Sequence, residues 1–115
     1  MTGVHEFIQT AQRSADHPAV QCRDGTVLNY RTLLGRAAAL AEELRNQGVA
    51  AHDRVLLHTE VGLHWVLGVW GAWLAGGVVV PLDRCTPPKR LALLREQSRA
   101  LTSVTELPDR SAAVR

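Results

Sequence analysis

Cysteine is nearly absent from this chain, and what there is excludes a disulfide or metal framework. The 2 cysteines, Cys22 and Cys85, stand far apart and match no metal or redox spacing, so two free thiols in a reducing cytoplasm are the expectation. The N-terminus lacks the basic, then apolar, then small-residue order of a secretory signal. Charge of one sign is also missing: 13 Lys and Arg face 11 Asp and Glu, with the arginines spread along the chain. With 1 Tyr and 1 Phe there is little to interleave with a basic patch, which argues against a nucleic-acid partner. The 5 histidines form no pair at ligand spacing, so no metal site is predicted. Ser14, Asp16 and His17 are neighbours in one short segment. A catalytic triad is assembled from separate elements, so this segment reads as a helix end and linker.

One long apolar run is present. From Val61 to Leu82, between Glu60 and Asp83, there is no formal charge, and roughly 20 apolar residues are enough to span a bilayer. The order of residues argues against a span. Gly76 and Gly77 stop a helix, three β-branched valines follow, and Pro81 cannot donate a backbone hydrogen bond. Trp65, Trp70 and Trp73 lie inside the run and not at its ends, and no basic anchor flanks it. The run therefore reads as a buried helix from Leu63 to Ala75 followed by a buried strand from Val78 to Leu82. On the helix, Leu63, Val66, Leu67, Trp70 and Leu74 form a large apolar face. Gly68, Gly71, Ala72 and Ala75 form a second stripe of small residues that lets another backbone come close.

The remaining elements follow from period and punctuation. Val4 to Arg13 predicts an amphipathic helix with Phe7, Ile8 and Ala11 on its apolar side. Two short strands flank Asp24-Gly25, a pair suited to a tight hairpin. Asn29 can cap a helix that starts at Tyr30, repeats Leu33, Ala37, Leu40, Ala41 and Leu44 on one side, and stops at Gly48. Asp53 to His58 is a short buried strand. A helix starts at Pro87 and Pro88 and runs to about Arg99, with Leu91 and Leu94 inward. Leu101 to Val104 makes one more strand. Strand, helix, strand, helix, strand is the pattern of a parallel sheet with right-handed crossovers. The fold class is therefore α/β: a short parallel sheet with flanking helices plus an N-terminal β-hairpin. Residues 1–104 form one subdomain, and 105–115, polar and without periodicity, are expected to be a loose tail.

The order of these segments resembles the first part of the adenylate-forming enzymes, the AMP-dependent synthetases and ligases that include acyl-CoA ligases and nonribosomal peptide synthetase adenylation domains. Leu28 and Tyr30 match the family's Leu-x-Tyr helix entry. Leu74, Ala75 and Gly76, then Val80, Pro81, Leu82 and Asp83, resemble its Leu-x-Ala-Gly-x-x-x-Val-Pro-Leu-Asp segment within one residue of spacing. The resemblance covers about Pro18 to Val104. Two departures stand out. Thr32 occupies the place where the family often has a Glu that completes a capping box. The chain is also several times shorter than the family's enzymes.

The resemblance implies ATP-dependent carboxylate adenylation with ATP and Mg²⁺ as the family's cofactors. Adenylation needs a Gly-rich Ser/Thr loop for the phosphates, an acidic residue for Mg²⁺, an aspartate for the ribose and a lysine on a mobile domain. None of these motifs occurs in the 115 residues. Cys85 to Arg90 contains a Pro-Lys pair but no glycine, and its prolines remove the donors a phosphate loop needs. The chain is thus expected to bind no cofactor alone and to offer no catalytic residue. Its expected role is a truncated N-terminal fragment, the scaffold piece of a split adenylate-forming enzyme in nonribosomal peptide or acyl-activation metabolism. The alternatives are a non-catalytic interaction module and a degenerate remnant. Expected partners are itself or an adenylating or carrier-type protein, in the cytoplasm, with no nucleic acid and no membrane. Gly68, Gly71, Ala72 and Ala75 are the candidate interaction residues, on the premise that nothing in this chain covers them.

Overall fold

A computed structural model describes residues 2–59, 62–82, 85–98, 102–106 and 112–114. Asp83, Leu101 and residues 107–111, all of which figure in the sequence reading, lie outside the described residues. Helix α1, Thr2–Arg13, leads into a hairpin of β1, Pro18–Gln21, and β2, Val27–Asn29. The hairpin turns at Gly25, whose φ of 91° suits glycine. Helix α2, Tyr30–Asn46, follows without a gap. Then come β3, Arg54–His58, helix α3, Leu63–Leu74, and β4, Val78–Pro81. Helix α4, Pro88–Ser98, leads to β5, Thr102–Glu106, and β6, Ala112–Val114. The apolar run thus divides at the glycines into α3 and β4. Among the described residues no helix is long and apolar enough to cross a membrane.

The start of α2 shows how local chemistry fixes an element. The first N–H groups of a helix have no partner within it. Here Tyr30 N–H donates to the His17 carbonyl at 3.1 Å and Arg31 N–H to the Ala15 carbonyl at 3.0 Å. Thr32 N–H donates to Asn29 Oδ1 at 2.8 Å. The Ser14 to His17 segment is therefore a capping loop for α2. At the other end Gly76 adopts φ 84°, and Gly76 N–H and Gly77 N–H turn back to the carbonyls of Trp73 and Ala72 at 2.9 and 2.8 Å. That left-handed close ends α3 and aims the chain into β4.

The four-stranded sheet has the order β4-β3-β5-β6. Strand β3 pairs in parallel with β4 on one side and with β5 on the other. Strand β6 pairs antiparallel with β5, so residues 112–114, inside the stretch read from sequence as a tail, carry a strand. A central parallel strand is buried on both faces. Val55, Leu56 and Leu57 are accordingly at most 1% exposed. Val55 and Leu57 join Ala41, Leu44, Val69 and Ala72 in one core, and Leu56, between them, points the opposite way. Each such fully buried aliphatic side chain contributes about 1.5–3 kcal/mol.

Strand β4 is an edge, and its proline is placed accordingly. Val78 N–H donates to the Asp53 carbonyl at 2.7 Å and Leu82 N–H to the Leu57 carbonyl at 2.9 Å. Alternation then turns the backbone of Val79 and Pro81 outward, so the N–H that Pro81 lacks is one that β3 never needed.

The small-residue stripe of α3 is where structure and sequence reading part. Gly68, Gly71, Ala72 and Ala75 are all buried within this chain. A Cβ on Gly71 would stand 2.7 Å from Leu40 Cδ2 of α2, and one on Gly68 would collide with Leu57 of β3. The premise of an uncovered face is overturned: α2 and β3 cover it. The close backbone approach was correctly anticipated, but its partner is the chain's own second helix.

Two substitutions test this packing. Gly71→Leu overpacks the α2–α3 contact and should lower the unfolding free energy by about 1–3 kcal/mol, with tertiary structure lost as well; urea titration followed by near-ultraviolet circular dichroism measures it. Asn29→Ala removes the cap on Thr32 and should cost about 1 kcal/mol without altering the folded spectrum.

Candidate functional site

Among the described residues, two places are candidates for a site, one by topology and one by shape. The first is the crevice at the carboxyl ends of β3 and β4. The connections β3-α3-β4 and β4-α4-β5 run in opposite directions across the sheet, and right-handed crossovers put α3 and α4 on opposite faces. Strand ends diverge at such a point, and open α/β sheets bind ligands there. His58 is half-buried at this end. Thr59 beside it is 3% exposed, and its hydroxyl has no hydrogen-bond partner. A single hydroxyl gives no reaction chemistry.

The second is an open-sided groove of about 630 Å³ between α1, the hairpin, α2 and α3. Its floor is apolar, with Phe7, Leu33, Val66 and Trp70 among its lining residues. Phe7 and Trp70 stack with ring centroids 3.9 Å apart and planes at 21°, and Trp73 meets Trp70 edge-on at 5.2 Å. Aromatic pairs of this kind add about 0.5–1.5 kcal/mol beyond their buried area. The polar lining comes from Glu6, Thr10 and Tyr30.

Among the described residues no three His, Cys, Asp or Glu side chains converge to hold a metal ion. Cys22 is half-buried and Cys85 exposed, and the two form no disulfide. Lys89 and Arg90 are exposed in the first turn of α4, where Leu91 N–H donates to the Pro87 carbonyl at 2.9 Å. The Pro-Lys pair is thus a proline-started helix, as its sequence predicts. The candidate residues Gly68, Gly71, Ala72 and Ala75 do not line the groove; they are buried in the interior, with Gly71 against α2 and Gly68 against β3. The groove went unread because its walls come from four elements. Phe7 and Trp70 were each assigned to an apolar helix face, and nothing in their spacing says that they stack.

The sequence model described as AMP-binding enzyme matches residues 7–114. The chain is 42% identical over 91 residues to indigoidine synthase of Streptomyces lavendulae, covering 76% of this chain and 7% of that protein. It is 36% identical over 105 residues to the hybrid PKS-NRPS synthetase mycA of Thermothelomyces thermophilus, covering 90% of this chain and 3% of that protein. Among solved structures it superposes with a TM-score of 0.84 and 32% identity on the nonribosomal peptide synthetase FmoA3 in its α-methyl-L-serine-AMP bound form, covering 90% of this chain and 12% of that one. The N-terminal subdomain of Klebsiella oxytoca NpsA, in complex with anthranilyl-AMSN, shares the fold at a TM-score of 0.79 and 22% identity, covering 89% of this chain and 27% of that one. The chain thus spans only a small part of the length of the relatives it matches. With its helices, hairpin and parallel strands laid on theirs nearly end to end, it belongs to the AMP-binding enzyme family, as the N-terminal part of an adenylation domain of the nonribosomal peptide synthetase kind.

Proposed function

We propose that these 115 residues are the scaffold piece of an adenylate-forming enzyme that works in nonribosomal peptide or acyl-activation metabolism in the cytoplasm. The observation that carries this reading is the superposition on FmoA3 over 90% of this chain but 12% of that one, together with a sequence that has no Gly-rich phosphate loop. The chain supplies the packed α/β layer; ATP, Mg²⁺ and the carboxylic acid are bound by residues outside it, whether on the same polypeptide or on a complementing one. Those residues are the first partner, and a carrier-type protein that receives the activated acyl group is the second.

Surfaces suited to that arrangement are present. Leu93 on α4 is 50% exposed and Val78 on β4 is 44% exposed, and no residue of α4 over 88–97 is fully buried. A larger assembly could cover these positions. The small-residue face is occupied by α2 and β3, so an interaction-module reading would rest on these α4 and β4 residues instead.

ATP–pyrophosphate exchange tests the reading. The 115-residue chain alone should give no exchange with a panel of amino and aryl acids. Joined to, or mixed with, a synthetase segment that carries the phosphate loop and the mobile C-terminal domain, it should support exchange. Exchange by the chain alone would show that it carries its own nucleotide site and would overturn the scaffold assignment.

A further inference from the structure

We propose that the groove between α1, the hairpin and α3 is a binding site for an apolar organic cation of the arylalkylammonium class. Its volume of about 630 Å³ lies within the roughly 300–1,000 Å³ typical of small-molecule sites, which pair apolar walls with a few placed polar groups. Phe7 and Leu33, both buried, close the floor, with Phe7 stacked on Trp70 at 3.9 Å, and the half-buried Tyr30, Val66 and Trp70 give the apolar and aromatic walls for the body of such a ligand.

The charge pattern selects the sign. Glu6 is the one charged residue among the described residues that line the groove, and Thr10 and Tyr30 supply only neutral hydroxyls. The amino end of α1 also reaches the groove, at Gly3. Its dipole is equivalent to roughly half a positive charge, against a full negative charge on the Glu6 carboxylate one turn further on, so the groove favours a cation. It is accordingly the wrong sign for a carboxylate ligand.

Glu6 is exposed, so Glu6→Gln should leave the fold intact, which a thermal melt checks. Three probes of the same shape separate the contributions: 4-phenylbutylammonium, 4-phenylbutanol and 4-phenylbutyrate, titrated into the full chain by calorimetry while the Trp70 indole N–H resonance is followed. The ammonium should bind saturably, shift the Trp70 signal and exceed the carboxylate in affinity by about tenfold. Glu6→Gln should bring the ammonium to the level of the alcohol. Absence of saturable ammonium binding at millimolar concentration, equal affinity for all three probes, or a preference that survives in Glu6→Gln would each overturn the proposal.

Discussion

The whole arrangement depends on how closely α3 can lie against α2 and β3. Gly71 leaves room for Leu40, and Gly68 leaves room for Leu57. Because these two contacts are on one helix, they set its distance from both neighbours at once. Gly77 extends the same constraint into the sheet: a Cβ there would lie 3.2 Å from the Asp53 carbonyl, the same carbonyl that accepts the Val78 N–H. Arg45 at the end of α2 donates to the Leu74 carbonyl at 3.3 Å, so the last turn of α3 is also held by a polar contact. Packed interiors tolerate little change in volume, and here three glycines decide whether helix, helix and strand meet.

From that contact the two sides of the molecule acquire different characters. The side bearing α2 and α3 is closed: Ala37, Ala41 and Leu44 are fully buried, and α1 seals one end through Phe7. Helix α4, which a right-handed crossover assigns to the other face of the sheet, has Leu91 and Leu94 only half-buried. A chain of this size buries only about two thirds of the surface its unfolded form exposes, and the shortfall is concentrated on the α4 side. A scaffold that contributes one finished layer and one unfinished layer to a larger enzyme would have this asymmetry.

Much of the fold was legible in the sequence because punctuation and periodicity agree. Asn29 before Tyr30, Asp24-Gly25, Gly48, Gly76-Gly77 and Pro87-Pro88 mark ends that the structure places within a residue or two, and the apolar run divides where its glycines say it must. The strand at Ala112–Val114 was not legible: three residues behind a polar, aperiodic stretch carry no period-2 signal, and their pairing with β5 is decided by a neighbour and not by local preference. The purpose of the small-residue stripe was half legible. Small residues at helical spacing announce a close neighbour, but sequence does not say whether that neighbour is another chain or Leu40 and Leu57. The groove was not legible at all, since α1, the hairpin, α2 and α3 each contribute a part. Thr59 was likewise invisible, because a threonine after a strand has no feature that marks its hydroxyl as unsatisfied.

The position of Pro81 has a consequence for how such a chain survives in crowded surroundings. An open sheet edge is a template on which a stray strand from any other molecule can register, one hydrogen bond after another. On β4 the outward donors alternate, and one of them is replaced by a ring carbon, so an incoming strand meets an interrupted ladder. The same ring costs the native sheet nothing, because β3 takes its donors from Val78, Val80 and Leu82. A block of this kind weakens strand addition at the β4 edge while leaving the pairing with β3 intact. Two copies of such a sheet meeting edge to edge at β4 would likewise find the ladder between them broken at Pro81.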